Sequence, residues 1–310
     1  MLGLLGCQKD SDIFIPNEVT PPPIFFETGD ISRFYDEAPV PVSHYSWEAD
    51  KDHQIVTPNN LYLFFPANTL VDSMGNTISG LVEAEVYELF SKGNMILGQR
   101  PTLANNLPLE SVGEFGIKVT QNGNALQLSE AALQVQLPAQ LILPEIKVFY
   151  GASESQRYHQ WSLENAAPVV ELFEIFDSIQ GTSEQRYVFT TSNLGWLNCA
   201  DYLPQDQPQT TLCVELPAEY KEENAAVYVV LRDRNTVMEL IWTDDIEEQQ
   251  FCLSNIPSNV EASLIVIANK GPEEYAFSQF DLVVSGQSML VPMEPESLSL
   301  EAIQEQLTQL

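Results

Sequence analysis

Basic residues are scarce in this 310-residue chain: 13 Lys and Arg stand against 44 Asp and Glu, a formal net charge of −31. A surface so acidic repels phosphate backbones and anionic headgroups, which excludes nucleic acid as a partner class. No block of five like charges occurs, so the charge is spread over solvated faces. Long apolar runs are missing too. No segment approaches the ~18 uninterrupted apolar residues of a spanning helix, so membrane attachment has to come from a lipid. Cysteine is limited to four residues with no C-x-x-C spacing, which removes the usual zinc framework. A nucleophile elbow, an H-E-x-x-H helix, a Walker loop and a dinucleotide fingerprint are all lacking. What remains is ample: 44% hydrophobic residues over a length that accommodates two ordinary domains.

The first such feature is at the start. Leu4-Leu5-Gly6-Cys7 resembles the lipobox of bacterial lipoproteins, in which the cysteine is acylated and becomes the mature N-terminus. Two or three acyl chains, at ~0.8 kcal/mol per buried methylene, make a stable anchor. Six residues before Cys7 are too few for a secretory signal, so the expected translation start lies upstream or the signal has been trimmed. Gln8-Lys9-Asp10-Ser11-Asp12 resembles the acidic export signal of surface lipoproteins of the Bacteroidota. Residues 8–30, with Thr20-Pro21-Pro22-Pro23, read as a semi-rigid tether.

Beyond residue 30 the pattern is short strands between turn signals. Val82, Ala84 and Val86 alternate with polar residues, as do Phe115, Ile117 and Val119, and then Leu133, Val135 and Leu137. That period of two marks half-buried strands. Asn122-Gly123 between alternating runs is a strong hairpin signal. The expected fold is all-β: two consecutive antiparallel β-sandwich modules with a short C-terminal amphipathic helix. The modules fall at 31–140 and 206–294, with a connecting β-rich segment at 141–205. In 295–310, after Pro295 and Ser297, the spacing of Leu300, Ile303, Leu307 and Leu310 predicts a serine-capped helix packed on the sandwich.

Residues 60–138 resemble a domain recurrent in Bacteroidota lipoproteins. The resemblance rests on Phe65-Pro66-Ala67-Asn68, the Asp72 to Asn76 turn, Gly80-Leu81-Val82, Glu88, and the Leu-Glu-Ser-x-Gly motif at Leu109 to Gly113. Gly195-Trp196-Leu197-Asn198-Cys199 matches a second peptide of those proteins. The domain is distantly similar to the β-sandwich of ankyrins and netrin receptors, which implies protein contacts and no catalytic residues. Residues 208–292 resemble a transthyretin-like or carboxypeptidase-regulatory sandwich.

Three cysteines remain beyond Cys7. Leu212, Val214 and Leu216 share one strand face and leave Cys213 on the other; Phe251 and Leu253 do the same for Cys252. The candidate disulfide is therefore Cys213–Cys252, with Cys199–Cys213 as rival and three free thiols as the default. Glu48, Asp50, Asp52 and His53 are close enough in sequence to ligate a divalent ion, yet they match no spaced motif and read as a solvated acidic turn. Asp244 to Glu248 reads as a charged hairpin tip. Trp47, Trp161, Trp196 and Trp242 suit a sugar platform, but aromatic residues more commonly fill a core.

The protein expected from these residues is a non-enzymatic, lipid-anchored outer-membrane protein, facing the cell surface or otherwise the periplasm. It takes no cofactor and no metal. Its partners are the membrane, through Cys7, and a protein or glycan, as accessory to a membrane complex or in adhesion. The alternative is a carbohydrate- or peptide-active enzyme whose carboxylates cannot be picked out from 44 acids without geometry. Cys7→Ala is expected to abolish palmitate incorporation and release the protein from membranes; unchanged membrane association would contradict the anchor.

Overall fold

The computed structural model describes residues 29–130, 132–152, 157–164, 167–177, 182–245 and 248–310. The Cys7 motif and nearly all of the 8–30 tether lie outside them, as does the Ile246-Glu247 step of the acidic hairpin. The described chain is mostly β, in two sandwiches.

Alternation builds the first. One sheet runs Val42–Glu48, Leu81–Leu89, Leu107–Gln121, Gly195–Tyr202, Lys147–Gly151, each strand antiparallel to its neighbour. The facing sheet runs Glu171–Asp177, Thr182–Thr191, Leu133–Pro138, Tyr62–Phe65, His53–Val56. Val82, Ala84, Val86, Phe115, Ile117 and Val119 project from the first sheet onto Leu63, Phe65, Leu133, Val135, Leu137 and Phe189 of the second. Asn122 and Gly123 take φ of 52° and 81°, and Gln121 pairs with Asn124, so the Asn-Gly turn is where the sequence puts it.

The segment 141–205, read from sequence as a connector, belongs to this sandwich. Lys147–Gly151 and Gly195–Tyr202 complete one sheet, and Glu171–Asp177 and Thr182–Thr191 complete the other. Strand pairing over such separations leaves no local trace in sequence. The start of the first module is also displaced: helix α1 (Ser32–Glu37) packs on the second sandwich through Ile31, Phe34 and Tyr35.

In the second sandwich, Ile241–Asp245, Glu248–Pro257, Gln209–Glu215 and Met289–Pro292 form one sheet. Its last pairing is parallel, a departure from the antiparallel expectation, because the chain crosses between sheets after Val283 and re-enters in the direction of Gln209–Glu215. The other sheet runs Val237–Glu239, Ala225–Leu231, Glu261–Gly271, Glu274–Val283, Glu296–Leu298. Cys213 and Cys252 sit directly opposite on the outer face of the first of these sheets and are bonded, closing a loop with a sequence separation of 39. In the chain-entropy picture such a closure is worth up to about 4 kcal/mol. Cys199 is a free, buried thiol in the first core.

Ala225–Leu231 is buried along its whole length, because its sheet is covered on both faces. Val227, Val229 and Leu231 meet the opposite sheet, whereas Ala226, Tyr228 and Val230 meet helices. Those helices are α1, α2 (Lys92–Leu97), which the first sandwich contributes, and α3 (Leu300–Leu307). Helix α3 buries Ile303 and Leu307 as its spacing predicts, but its cap is Ser299; Ser297 lies in the preceding strand, Glu296–Leu298.

Candidate binding groove

The two sandwiches meet along a buried, hydrogen-bonded seam. Thr102 is fully buried; its amide donates to the Val237 carbonyl at 2.6 Å, and its hydroxyl accepts from the Val237 amide at 2.9 Å. Thr236, also fully buried, donates its hydroxyl to the Leu109 carbonyl at 2.8 Å. The Ser111 amide donates to the Asn235 carbonyl at 3.0 Å, and Arg234 donates to the Glu110 carboxylate at 2.7 Å. The Leu109 to Gly113 motif is thus the first module's half of the seam. The second motif lies beside it on the paired strand: Asn198 accepts from the Ser111 hydroxyl at 2.7 Å and donates to Glu114 at 3.0 Å.

Strand register then orders the outer face of this sheet into rows. The row Leu89, Glu114, Asn198, Phe149 is fully buried beneath the seam. The next row is Val42, Tyr87, Gly116, Trp196, Gly151, and beyond it come His44, Glu85 and Lys118. The middle row is where the sheet emerges into solvent. It floors a groove of about 690 Å³ whose lining also includes Tyr35, Asp36, Val40, Leu97 and Gln99. A smaller hollow of about 350 Å³, lined by His44, Glu85, Lys118 and Thr120, adjoins it along the sheet.

Two glycines make the floor. A Cβ at Gly116 would lie 3.0 Å from the Trp196 indole, and one at Gly151 would lie 2.8 Å from Trp161 and 3.0 Å from Arg100. Bare backbone on both neighbouring strands therefore lets Trp196 lie down on the sheet. Tyr87 stands beside it, ring centroids 5.6 Å apart. The Tyr87 hydroxyl donates to Glu85 at 2.9 Å, leaving the ring face as its contribution to the groove.

Beneath the floor the guanidinium of Arg100, which has no exposed surface, stacks 4.3 Å from the Trp196 ring centroid. A terminal nitrogen of Arg100 lies 3.3 Å from both ring nitrogens of His159, and Trp161 packs edge-on to that imidazole. Burial lowers Arg100 to about 10, against the pull of Glu114. Burial lifts the Glu114 carboxyl well above the carboxylate range, with the Arg100 charge opposing. His159 is pushed down to about 3, first by burial and then by Arg100. A second pair, the buried Glu239 and the partly exposed Arg157 at 3.1 Å, flanks the seam, and burial raises Glu239 to about 7 despite its cation. Glu114 and Glu239 are both buried, and neither lines the groove.

The other residues singled out in sequence fall elsewhere. His53 stacks on Trp47 at 4.8 Å, and Asp52 accepts from the Ala67 amide at 2.8 Å; among the described residues no three potential ligands gather around a point. Trp47 and Trp161 are core, Trp242 packs on Phe251, and of the four tryptophans Trp196 lines the groove. Cys213 and Cys252 lie in the second sandwich and outside the groove. Tyr87, Arg100 and Glu114 carry no motif; the available signal was Gly116 and Gly151 inside strands.

No known family and no curated protein matches the chain. Among solved structures it is similar to one titled "The Bacillus anthracis TIE protein", at 9% identity and a TM-score of 0.22. That match covers 83% of this chain, which spans about a third (34%) of the other. A likeness this low carries no argument about function.

His159 supplies a pH signature. It is neutral when folded and has an ordinary value of 6.5, so its share of stability is complete above that pH and drains as pH falls towards 3. Between pH 7 and 4.5 the loss is about 3 kcal/mol for this group. Urea unfolding at both pH values is expected to show a smaller loss in His159→Asn than in the parent; equal losses would contradict the assignment.

Proposed function

We propose that the chain is a non-enzymatic surface lipoprotein that binds an extended glycan along the outer face of the first sandwich. The groove supports this reading: Tyr87 and Trp196 offer ring faces at the floor, and the polar Asp36, Gln99 and Lys118 are also in the lining. Sugar rings present apolar C–H faces edged by hydroxyls, and such a ligand is matched by aromatic floors with polar rims. The adjoining hollow past Lys118 gives a chain-like ligand somewhere to go. The acidic surface suits a neutral or cationic polymer and opposes a nucleic acid. In this reading Cys7 and the proline-rich tether hold the groove away from an outer membrane.

Tyr87 is the residue to test, because Trp196 also covers Arg100 and its removal would disturb the seam. Losing one half-buried ring should weaken binding by about 1 kcal/mol, a five- to tenfold loss. Affinity electrophoresis of the full-length protein through gels containing neutral polysaccharides is expected to retard the parent and retard Tyr87→Ala less. Free migration through a broad panel, or equal retardation of both proteins, would count against the groove.

A further inference from the structure

A different surface is exposed at the edge of the first sandwich. In Glu171–Asp177, residues 171–176 are all exposed, and four of them are large and apolar: Leu172 (43%), Phe173 (47%), Ile175 (40%) and Phe176 (65%). Among the described residues this strand pairs with Thr182–Thr191 alone, so its other edge offers unpaired backbone. Protein sheets ordinarily protect such edges with charge, proline or a short strand. Here the pairing register extends over all seven residues, and acids at Glu171, Glu174 and Asp177 are spaced between apolar and aromatic side chains.

Cross-strand partners show which side chains share a face. Leu172, Glu174 and Phe176 share the face of Tyr187, Gln185 and Ser183; Glu171, Phe173 and Ile175 share that of Val188, Arg186 and Glu184. Over residues 171–176 each face therefore carries two apolar residues and one acid, and Asp177 adds a second acid to the face of Glu171. A second copy pairing in register about Glu174 would set Glu174 against Glu174, and like charges directly opposite destabilise a ladder. Two chains of net charge −31 would add to that repulsion. The complement, read antiparallel from Phe176 back to Glu171, is apolar-apolar-cation-apolar-apolar-cation.

We propose that the free edge of Glu171–Asp177 docks an extended strand from another protein, in which Lys or Arg recurs every third residue between apolar pairs. Main-chain hydrogen bonds to the open edge supply affinity, and the cations opposite Glu171 and Glu174 set register and partner choice.

The probes are two labelled synthetic peptides, acetyl-SVVKVVKS-amide and its charge-reversed form acetyl-SVVEVVES-amide, titrated by fluorescence anisotropy into the full-length protein. The lysine peptide should bind and the glutamate peptide should not. A block-ordered peptide of the same composition, acetyl-SKKVVVVS-amide, tests whether bulk charge alone accounts for binding, and it should be at least tenfold weaker. Phe176→Ser should weaken the lysine peptide five- to tenfold. Glu174→Lys, at an exposed position, should shift preference toward the glutamate peptide about three- to fivefold. Equal binding of ordered and block peptides, or indifference to both substitutions, would overturn the proposal. So would self-association that Phe176→Ser abolishes, since the occupant would then be a second copy. Co-sedimentation with phosphatidylcholine vesicles in place of peptide binding would overturn it as well.

Discussion

Thr102 and Val237 exchange backbone and side-chain hydrogen bonds in a place with no access to water, and most of the molecule is arranged around that contact. A buried donor or acceptor stripped of its partner costs about 1–3 kcal/mol, so a run of them cannot be opened piecemeal. Thr236 on Leu109, Asn235 on Ser111 and Arg234 on Glu110 extend the run along one edge of the first sandwich. Apolar packing follows the same line. Leu103 and Leu203 of the first module sit in the core of the second, and Leu89, Met95 and Ile96 pack on its helical face. Each sandwich keeps its own core, and the two are joined by this packed and hydrogen-bonded seam.

The groove is a consequence of this docking. The sheet beneath it is buried at Glu114 and Asn198, emerges at Tyr87 and Trp196, and is open at Lys118, because the second module and α1 cover one end of it. The floor belongs to the first sandwich. Part of the lining, Tyr35 and Asp36, belongs to a helix seated on the second. Arg100 ties the two parts together: it underlies Trp196 and is coupled to Glu114 at the seam. Groove shape and module docking thus respond to the same residues.

Much of the fold was legible residue by residue. Alternation at Val82/Ala84/Val86 and Phe115/Ile117/Val119 identified core strands, Asn122-Gly123 identified a turn, and the parity of Cys213 and Cys252 set both on one outer face. What escaped was long-range pairing. Nothing local reveals that Lys147–Gly151 lies beside Gly195–Tyr202, or that Met289–Pro292 runs parallel to Gln209–Glu215. Serine choice at the last helix escaped for a smaller reason: Ser297 and Ser299 are both sound caps, and strand pairing at Glu296–Leu298 decides between them. The site was legible only at Trp196. Tyr87 and Arg100 carry no motif, and only strand register and burial place the first beside Trp196 and the second under it.

The central claim is that the two sandwiches fold and work as one unit through the Thr102–Val237 seam. Differential scanning calorimetry on the full-length, oxidised protein tests it most directly. A single transition is predicted, with calorimetric and van't Hoff enthalpies equal and with tryptophan fluorescence and far-UV dichroism melting together. Two resolved transitions, one for each sandwich, would contradict the single unit and with it the account of how the groove is held.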